Sequence, residues 1–469
     1  MKKYSLLTVL LILAGCVKYH PKPLFPESAI ASFESRTLIS SELRAFMEKN
    51  LQNKAEQWPP DSWDLEMLSL AAFYYSPELD VARAKWGIAK AQVKNAGRRP
   101  NPTVTYTPEF DTNPLAGLSP WILGFNLDIP IETAGKRGYR IAQAENLSEA
   151  ARLNIAGDAW RVRSRLRAAL LKLYTAEHQE KILQKQLAVY NDLVGALEHR
   201  LEFGEASSPE ITQMRILRDQ ADRDRIDAQK QDIEARAELA RVMGVSPDSL
   251  KDIVISTSVF DDLPAEAWLP SKEVRRMALQ NRADLLAALE EYKASEAALR
   301  LEIARQYPDL HLGPGYNWDQ GENKWALGLS VTLPVFDRNR GPIAEAEANR
   351  SAEDAKFFQL QTQIISDSEL ALASYKATKE NWEKTDYILA EKEKYVQSVE
   401  TKFKAGEVDR LAYLSAQLEY SSAELVRLAA LLSVQKALGL LEDSMQRPLN
   451  PAAPPLAAPE EYPRLEGGN

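Results

Sequence analysis

Two stretches of the chain repeat one order of hydrophobic and polar positions. In residues 121–130, and again in residues 325–334, apolar side chains alternate with small or polar ones, and each run ends at a proline. Each run then passes through a basic turn into a long segment with helical spacing. This change of period is typical of a strand that leads into a helix. The pattern therefore predicts two internal repeats, each with a β-hairpin followed by helices.

The long segments 138–201 and 343–403 have the same internal spacing. From Ile141 to Gly204 (204 − 141) and from Ile343 to Gly406 (406 − 343) there are 63 residues. An equal spacing without insertions predicts one continuous helix in each repeat. Each glycine follows a heptad-like seam and predicts a turn, after which return helices are predicted at 209–243 and 411–441.

Four strands are predicted in two hairpins, 103–130 and 309–334, and one face of every strand carries no charge. Alternating segments of roughly ten residues are typical of transmembrane barrel strands. Four strands cannot close a barrel, and lipid does not tolerate an open sheet edge. The hairpins therefore either pack on a soluble core, or several chains pool their strands, three chains giving twelve. In the membrane interpretation the lipid-facing residues are Trp121, Leu123, Phe125, Leu127, Trp325, Leu327, Leu329 and Val331.

The N-terminus has the features of an export signal. Residues 1–15 combine a basic start with a short apolar run, and Leu-Ala-Gly precedes Cys16, the only cysteine. The run is too short to span a bilayer, so it predicts a cleaved signal. The Leu-Ala-Gly-Cys motif resembles a bacterial lipobox, which predicts lipidation of Cys16. The alternative is a plain signal peptide with an incidental cysteine.

The remaining segments complete a predicted domain organisation. Residues 16–64 form a lipidated, extended N-terminal arm with one short helix at about 41–57. Residues 65–248 are the first repeat, which opens with a single helix at about 65–97. An equatorial insert with a short β-like run follows at 249–270, then the second repeat at 271–443. A tail rich in proline and alanine, at 444–469, is expected to be disordered.

Composition and motifs exclude several classes of function. A formal net charge of −9 does not favour nucleic-acid binding. The sequence has no phosphate-binding loop, no pair of histidines at metal-ligand spacing and no arrangement typical of nucleophilic catalysis. The prediction is therefore a protein that is not an enzyme and has neither a cofactor nor a metal site.

The lipobox, the duplicated hairpin-and-helix units and the Leu/Phe-x-x-Gly-Glu turns together resemble the TolC-type outer-membrane efflux proteins. The turn at 130–137, Pro-Ile-Glu-Thr-Ala-Gly-Lys-Arg, is similar to the CzcC-like branch, which is linked to heavy-metal efflux. The resemblance implies a mainly α fold with a small membrane β part. It implies a homotrimer whose shared 12-stranded β-barrel continues into a long periplasmic α-helical barrel. It also implies a periplasmic adaptor and an inner-membrane pump, most often of the RND type, as partners.

In such a trimer the hairpin tips would ring the periplasmic mouth. The turn residues Gly204, Glu205, Gly406 and Glu407 would then contact the adaptor, and Arg200, Asp409 and Arg410 are candidates for a periplasmic gate. The alternative is that both glycines are purely structural helix caps.

Two questions of function stay open at this point. The cargo of an efflux duct could be metal cations, drugs or a secreted protein. A different class of protein, a lipid-anchored coiled-coil scaffold with soluble hairpins, shares the lipobox and the heptads but does not explain the charge-free strand faces.

Overall fold

The computed structural model describes residues 18–50, 58–264 and 272–449. In chain order its elements are α1 Pro26–Glu34, α2 Ser41–Asn50, α3 Leu65–Tyr75, α4 Pro77–Ala96, β1 Thr103–Phe110, β2 Trp121–Ile131, α5 Lys136–Glu202, α6 Ser208–Met243, α7 Lys272–Gln280, α8 Ala283–Ala304, β3 Leu310–Asp319, β4 Glu322–Val331, α9 Arg340–Lys404 and α10 Arg410–Met445. Two short 3-10 helices, Pro247–Leu250 and Ser258–Phe260, lie between α6 and α7.

The same order of elements occurs twice. Two helices, two strands, one very long helix and one return helix make up α3 to α6, and again α7 to α10. The long helices α5 and α9 contain 67 and 65 residues, which gives each a length of about 100 Å at about 1.5 Å per residue. Both extend one to three residues beyond the predicted bounds at each end. The return helices α6 and α10 begin one residue before the predicted 209 and 411.

Two expectations for the N-terminal part are wrong. The single helix predicted at 65–97 is divided into α3 and α4, because Ser76 is extended (φ −67°, ψ 114°) and Pro77 begins a new helix. Proline has no backbone N–H to donate to a preceding turn, but it fits the first turn of a helix. The arm also contains a helix that was not expected, α1, which likewise begins at a proline, Pro26.

Other predicted segments lie partly outside the described residues. This applies to the signal peptide and Cys16, to 51–57 of the helix predicted at 41–57, and to most of the tail. In the insert, the β-like run at 253–255 contributes a single bridge, in which Ile255 pairs with Trp63.

The four strands form one antiparallel sheet in the order β1-β2-β3-β4. Residues directly opposite each other in such a sheet share a face. Val104 lies opposite Leu127, and Leu312 lies opposite both Ile129 and Leu329. The apolar positions of all four strands therefore form one continuous face.

Pro314 lies in β3, between two partner strands. Pairing of β2 with β3 runs from Ile122 to Asn126 and resumes at Ile129, so no ladder pair forms where Pro314 faces β2. Because proline has no N–H to donate, it is tolerated at such an interruption. The interruption therefore accommodates Pro314 in a strand that has partners on both sides.

The main buried core lies around the middle of the long helices. Leu68 of α3, Leu166 and Leu170 of α5 and Leu441 of α10 are all fully buried there. The N-terminal arm is fastened to the same region by Arg36, whose guanidinium donates to the carbonyl oxygens of Tyr75 (3.2 Å) and Gly244 (2.7 Å). We call this contact the Arg36 clasp.

Within residues 18–50, 58–264 and 272–449, none of the helices combines the length and the apolar character needed to cross a membrane.

Candidate functional site

Each hairpin tip is built around a glycine just beyond the end of a long helix. Gly204 follows α5 with φ +76°, and Gly406 follows α9 with φ +77°. The N–H of Glu205 donates to the carbonyl of Arg200, and that of Glu407 donates to the carbonyl of Lys402, both at 2.9 Å. Apart from the glycine itself and its two chain neighbours, no heavy atom of the described residues lies within 4 Å of a Cβ built on either glycine. A side chain there would be limited by backbone strain and not by crowding.

The return helices begin with strong N-terminal caps. At α6, Ser207 and Glu210 form a reciprocal capping box. At α10, the carboxylate of Asp409 accepts a hydrogen bond of 2.8 Å from the N–H of Ala412. This backbone hydrogen bond, aided by the nearby Arg200 guanidinium, lowers the pKa of Asp409 below its usual value. Asp409 is therefore ionised at neutral pH.

Two ion pairs connect the two hairpins near their tips. Arg200 Nη2 of α5 lies 2.9 Å from Asp409 Oδ2, and Arg410 Nη2 of α10 lies 3.7 Å from Asp192 Oδ1 of α5. We call these contacts the tip pairs. The side chains are 36–60% exposed, so each pair contributes about 0–1 kcal/mol.

The three residues predicted as a gate all lie near the hairpin tips, but they belong to two separate ion pairs and do not form one cluster. Arg200 pairs with Asp409, whereas Arg410 pairs with Asp192, which the sequence did not single out. Asp192 lies 10 residues before the end of α5 at Glu202 (202 − 192). Glu205 and Glu407 lie beyond the helix ends, on exposed turns. None of the ion pairs among the described residues includes Glu205 or Glu407.

The sheet has distinct apolar and polar faces. The eight residues predicted to face lipid all lie on its apolar face. The opposite face carries Asn126, Asp128, His311 and Ser330, and His311 Nδ1 lies 3.0 Å from Asp128 Oδ1. This division of side chains suits a sheet with lipid on one side and water on the other.

The basic turn between β2 and α5 anchors the first half of the chain to the second. Lys136 is buried, and its Nζ donates to Asp309 Oδ1 (2.7 Å) and to the carbonyl of Tyr307 (2.6 Å). Thr133 reinforces the contact by donating to the Pro308 carbonyl at 2.6 Å. The sequence identified this turn by its resemblance to one branch of a family, but its structural role as an anchor was missed.

No group of three or more His, Cys, Asp or Glu residues suited to holding a metal ion occurs in the part of the chain that the structure describes.

The fold and these sites define an outer-membrane efflux channel. The chain matches the family described as "Outer membrane efflux protein" over residues 71–245 and 274–445, and it belongs to that family. The predicted resemblance is thereby confirmed, and the efflux channel is favoured over the coiled-coil scaffold.

Individual relatives agree with this assignment. The chain is 26% identical over 298 residues to the cobalt-zinc-cadmium resistance protein CzcC of Cupriavidus metallidurans, covering 62% of this chain and 69% of CzcC. It is 24% identical to the nickel-cobalt-cadmium resistance protein NccC of Alcaligenes xylosoxydans, covering 54% of this chain and 56% of NccC. The crystal structure of the outer membrane protein VceC from Vibrio cholerae has the same fold, with a TM-score of 0.67 at 19% identity over 82% of this chain and 97% of VceC.

Proposed function

We propose that the chain is the outer-membrane duct of a tripartite efflux system. Three copies form a 12-stranded barrel continuous with a periplasmic helical tunnel. A periplasmic adaptor and an RND-type inner-membrane pump deliver the cargo, and the duct conducts it passively. The observation that carries the proposal is a four-stranded sheet with one continuous apolar face and two edge strands, β1 and β4.

The sheet edges support the trimer. A sheet edge left open in lipid would expose unpaired backbone groups, each costing several kcal/mol. Because the strands alternate in direction, β4 of one subunit can pair antiparallel with β1 of the next. Three copies supply twelve strands, which lies within the range of known membrane barrels, whereas one copy cannot close.

The outer helices of the helical part also support neighbouring copies. Within the chain α5 packs against both α6 and α10, and α9 packs against α10, so α6 and α9 lie at the two sides. Large apolar side chains are exposed on both, including Ile226 and Ile233 of α6 and Tyr387 and Ile388 of α9. A ring of subunits would bury these residues by packing α6 of one copy on α9 of the next.

The proposal assigns a position in the duct to each predicted segment of the chain. Residues 65–248 and 271–443 are the two repeats, and 249–270 is an insert at the equator. Cys16 carries a lipid that anchors the arm in the outer membrane, while the tips at Gly204 and Gly406 meet the adaptor. The tip pairs hold the periplasmic mouth closed until the adaptor docks.

We further propose divalent heavy-metal cations as the cargo. The proposal is supported by the similarity to CzcC and NccC, whose names record cobalt and cadmium resistance. The exposed carboxylates of Glu205 and Glu407 at the tips would also favour cations at the mouth.

The test is a transport assay in a Gram-negative host that lacks its own outer-membrane efflux ducts. The chain is expressed with a periplasmic adaptor and an RND-type pump, and cellular cobalt, zinc and cadmium are measured. We expect lower metal content than with the pump and adaptor alone. A variant with Leu327→Arg on the apolar sheet face serves as the assembly-defective control. If the cells accumulate less of a dye or drug while their metal content is unchanged, metal cations are not the cargo, but the proposal of an efflux duct stands. If the accumulation of no cargo changes, the proposal of an efflux duct is contradicted.

A further inference from the structure

The connections between the two edge strands of the sheet and the helices carry four exposed arginines. Arg98 and Arg99 precede β1, and Arg338 and Arg340 follow β4. None of the ion pairs among the described residues includes any of the four. We propose that they bind the phosphate group of an anionic phospholipid at each joint between two subunits. The inference rests on the proposed function, because it requires β4 of one subunit to lie beside β1 of the next.

The joint between the two hairpins of one chain shows how the charge of such a connection is neutralised. β2 and β3 are paired there, and the turn after β2 contacts the connection before β3. Lys136 of that turn donates to the carboxylate of Asp309 at 2.7 Å. The N–H of Thr133 donates to the same carboxylate at 2.9 Å. The basic turn after the first hairpin is thus matched by a carboxylate directly before the second hairpin.

The joint between subunits lacks a carboxylate in that position. It brings the turn after β4 to the connection before β1, and residues 97–108 contain no aspartate or glutamate. In the turn at 332–340 the single carboxylate, that of Asp337, accepts a hydrogen bond of 2.8 Å from the N–H of Asn339. Each joint therefore gathers four guanidinium groups against one carboxylate. An anion from outside the protein would take the place that Asp309 has within the chain.

The nearby carboxylates of the same chain are already engaged by other groups. Arg98 and Arg99 line a groove of about 720 Å³ between the end of α4 and the start of α5, together with Glu132 and Asp309. Both oxygens of Glu132 accept from the guanidinium of Arg140, at 2.6 and 3.2 Å. Asp309 is held by the two contacts of the basic turn described above. The groove thus leaves Arg98 and Arg99 available to a further anion.

The apolar residues beside these arginines favour a lipid over a free anion. Leu333, Val335 and Phe336 lie in the turn after β4 and are all at least 65% exposed. At about 3.3 Å per residue and a tilt of about 40°, the 10-residue strands β3 and β4 rise about 25 Å, the height of the apolar band of a membrane barrel. The turn therefore lies at the level of the lipid headgroups. Apolar side chains next to arginines are typical of segments at such an interface.

The opposite end of the sheet has a different charge. The β1–β2 loop at 111–120 and the β3–β4 turn at 320–321 contain neither arginine nor lysine. Lys324, near this end of β4, is paired with Asp319 at 2.5 Å. Within the sheet and its connections, arginine occurs only at the end where the helices begin. This end faces the periplasm in the proposed duct, so the arginines lie at the leaflet made of phospholipids.

Native mass spectrometry of the full-length trimer tests the proposal. The purified trimer is titrated with phosphatidylglycerol and, separately, with phosphatidylcholine. We expect saturable binding of one phosphatidylglycerol per joint and much weaker binding of phosphatidylcholine. Each arginine beside an anionic lipid contributes about fivefold in affinity, so a variant with Arg98→Gln and Arg99→Gln should bind phosphatidylglycerol about thirtyfold more weakly. Arg338→Gln combined with Arg340→Gln should have the same effect.

The number of bound lipids distinguishes one shared site from two separate sites. At a shared site, either double variant weakens the binding of every phosphatidylglycerol. Two separate sites would bind twice as many lipids, and each double variant would retain half of them, which would overturn the assignment to the joint. The matched control combines Arg241→Gln with Lys251→Gln, which removes two exposed charges far from the sheet in sequence. We expect it to bind phosphatidylglycerol like the unmodified protein.

The remaining outcomes separate the lipid, the site and the duct. If inorganic phosphate displaces phosphatidylglycerol at an equal concentration, the arginines bind a free anion and the lipid assignment is wrong. If phosphatidylcholine binds equally well, or if both arginine variants bind phosphatidylglycerol like the control, the inference is overturned while the trimer and the duct stand. An unmodified chain that is monomeric in the same spectra and in light scattering contradicts the proposed function itself.

Discussion

The tip pair between Arg200 and Asp409 can be broken without disturbing the helix that carries it. Asp409 both caps α10 and pairs with Arg200 at 2.9 Å. Asparagine caps a helix as well as aspartate does, but it has no charge. The substitution Asp409→Asn therefore removes the ion pair and retains the cap, whereas Asp409→Ala would also lose about 1 kcal/mol of capping.

The expected magnitude follows from exposure. A pair of this kind contributes about 0–1 kcal/mol, and a trimer contains three copies of it. If the mouth opens as one unit, Asp409→Asn shifts the balance of open and closed channels by up to about 3 kcal/mol, or about a hundredfold. Arg200→Gln should have a similar effect, and the double variant should add little, because both changes remove the same contact.

The assay is single-channel recording of the purified protein in planar bilayers. We expect longer and more frequent openings for Asp409→Asn. The matched control is Asp224→Asn, since Asp224 pairs with the adjacent Arg223 on the same helix and does not connect hairpins. Conductance and open probability equal to those of the unmodified protein would refute the idea that this pair holds the mouth closed.

The pH dependence gives a second check on the same contact. The pKa of Asp409 is lowered from an ordinary value of 3.8. A carboxylate whose folded-state pKa is lowered stabilises the fold above its unfolded pKa and loses that contribution as pH falls through the folded value. The pair should therefore persist at every pH above about 4. An open probability that rises between pH 7 and pH 5 would have to come from other groups.

The remaining predictions concern the barrel, the anchor and the tips. Leu327→Arg on the apolar face should cost about 2–4 kcal/mol and reduce the heat-modifiable trimer on gels, whereas Ser330→Arg on the polar face should cost much less; equal losses would reject the assigned faces. Cys16→Ser should abolish lipid labelling and leave the trimer intact, and an unmodified Cys16 in the mass spectrum of the mature protein would contradict lipidation. Gly406→Val should strain a turn at φ +77°, so that adaptor-dependent efflux falls while the trimer persists; unchanged efflux would show that the tip tolerates a β-branched residue.

Hydrophobic periodicity predicted the long helices and the apolar strand face because both depend on local spacing. The break at Ser76–Pro77 could have been found from the proline alone, since proline suits a first helical turn better than a helix interior.

Contacts between distant segments could not be predicted from the sequence. Two ion pairs join residues from different repeats: one between Arg410 and Asp192, the other between Lys136 and Asp309. Nothing in local spacing indicates which charged residue of one repeat faces which residue of the other. The sequence therefore predicted which types of residue occur at the tips and at the basic turn. The ion-pair partners of these residues became known only from the packing of α5 against α10 and of the turn against β3.

The Arg36 clasp holds one end of α6. The guanidinium donates to the carbonyl of Gly244, which follows the C-terminal end of α6, and the N-terminal end of this 36-residue helix leads to the hairpin tip at Gly204. At about 1.5 Å per residue the lever arm is about 54 Å. A rotation of about 5° about the held end would displace the tip by about 5 Å, more than the spacing of a salt bridge. A small rotation at the Gly244 end would thus be amplified at the hairpin tip, with the Arg36 clasp as the fixed point.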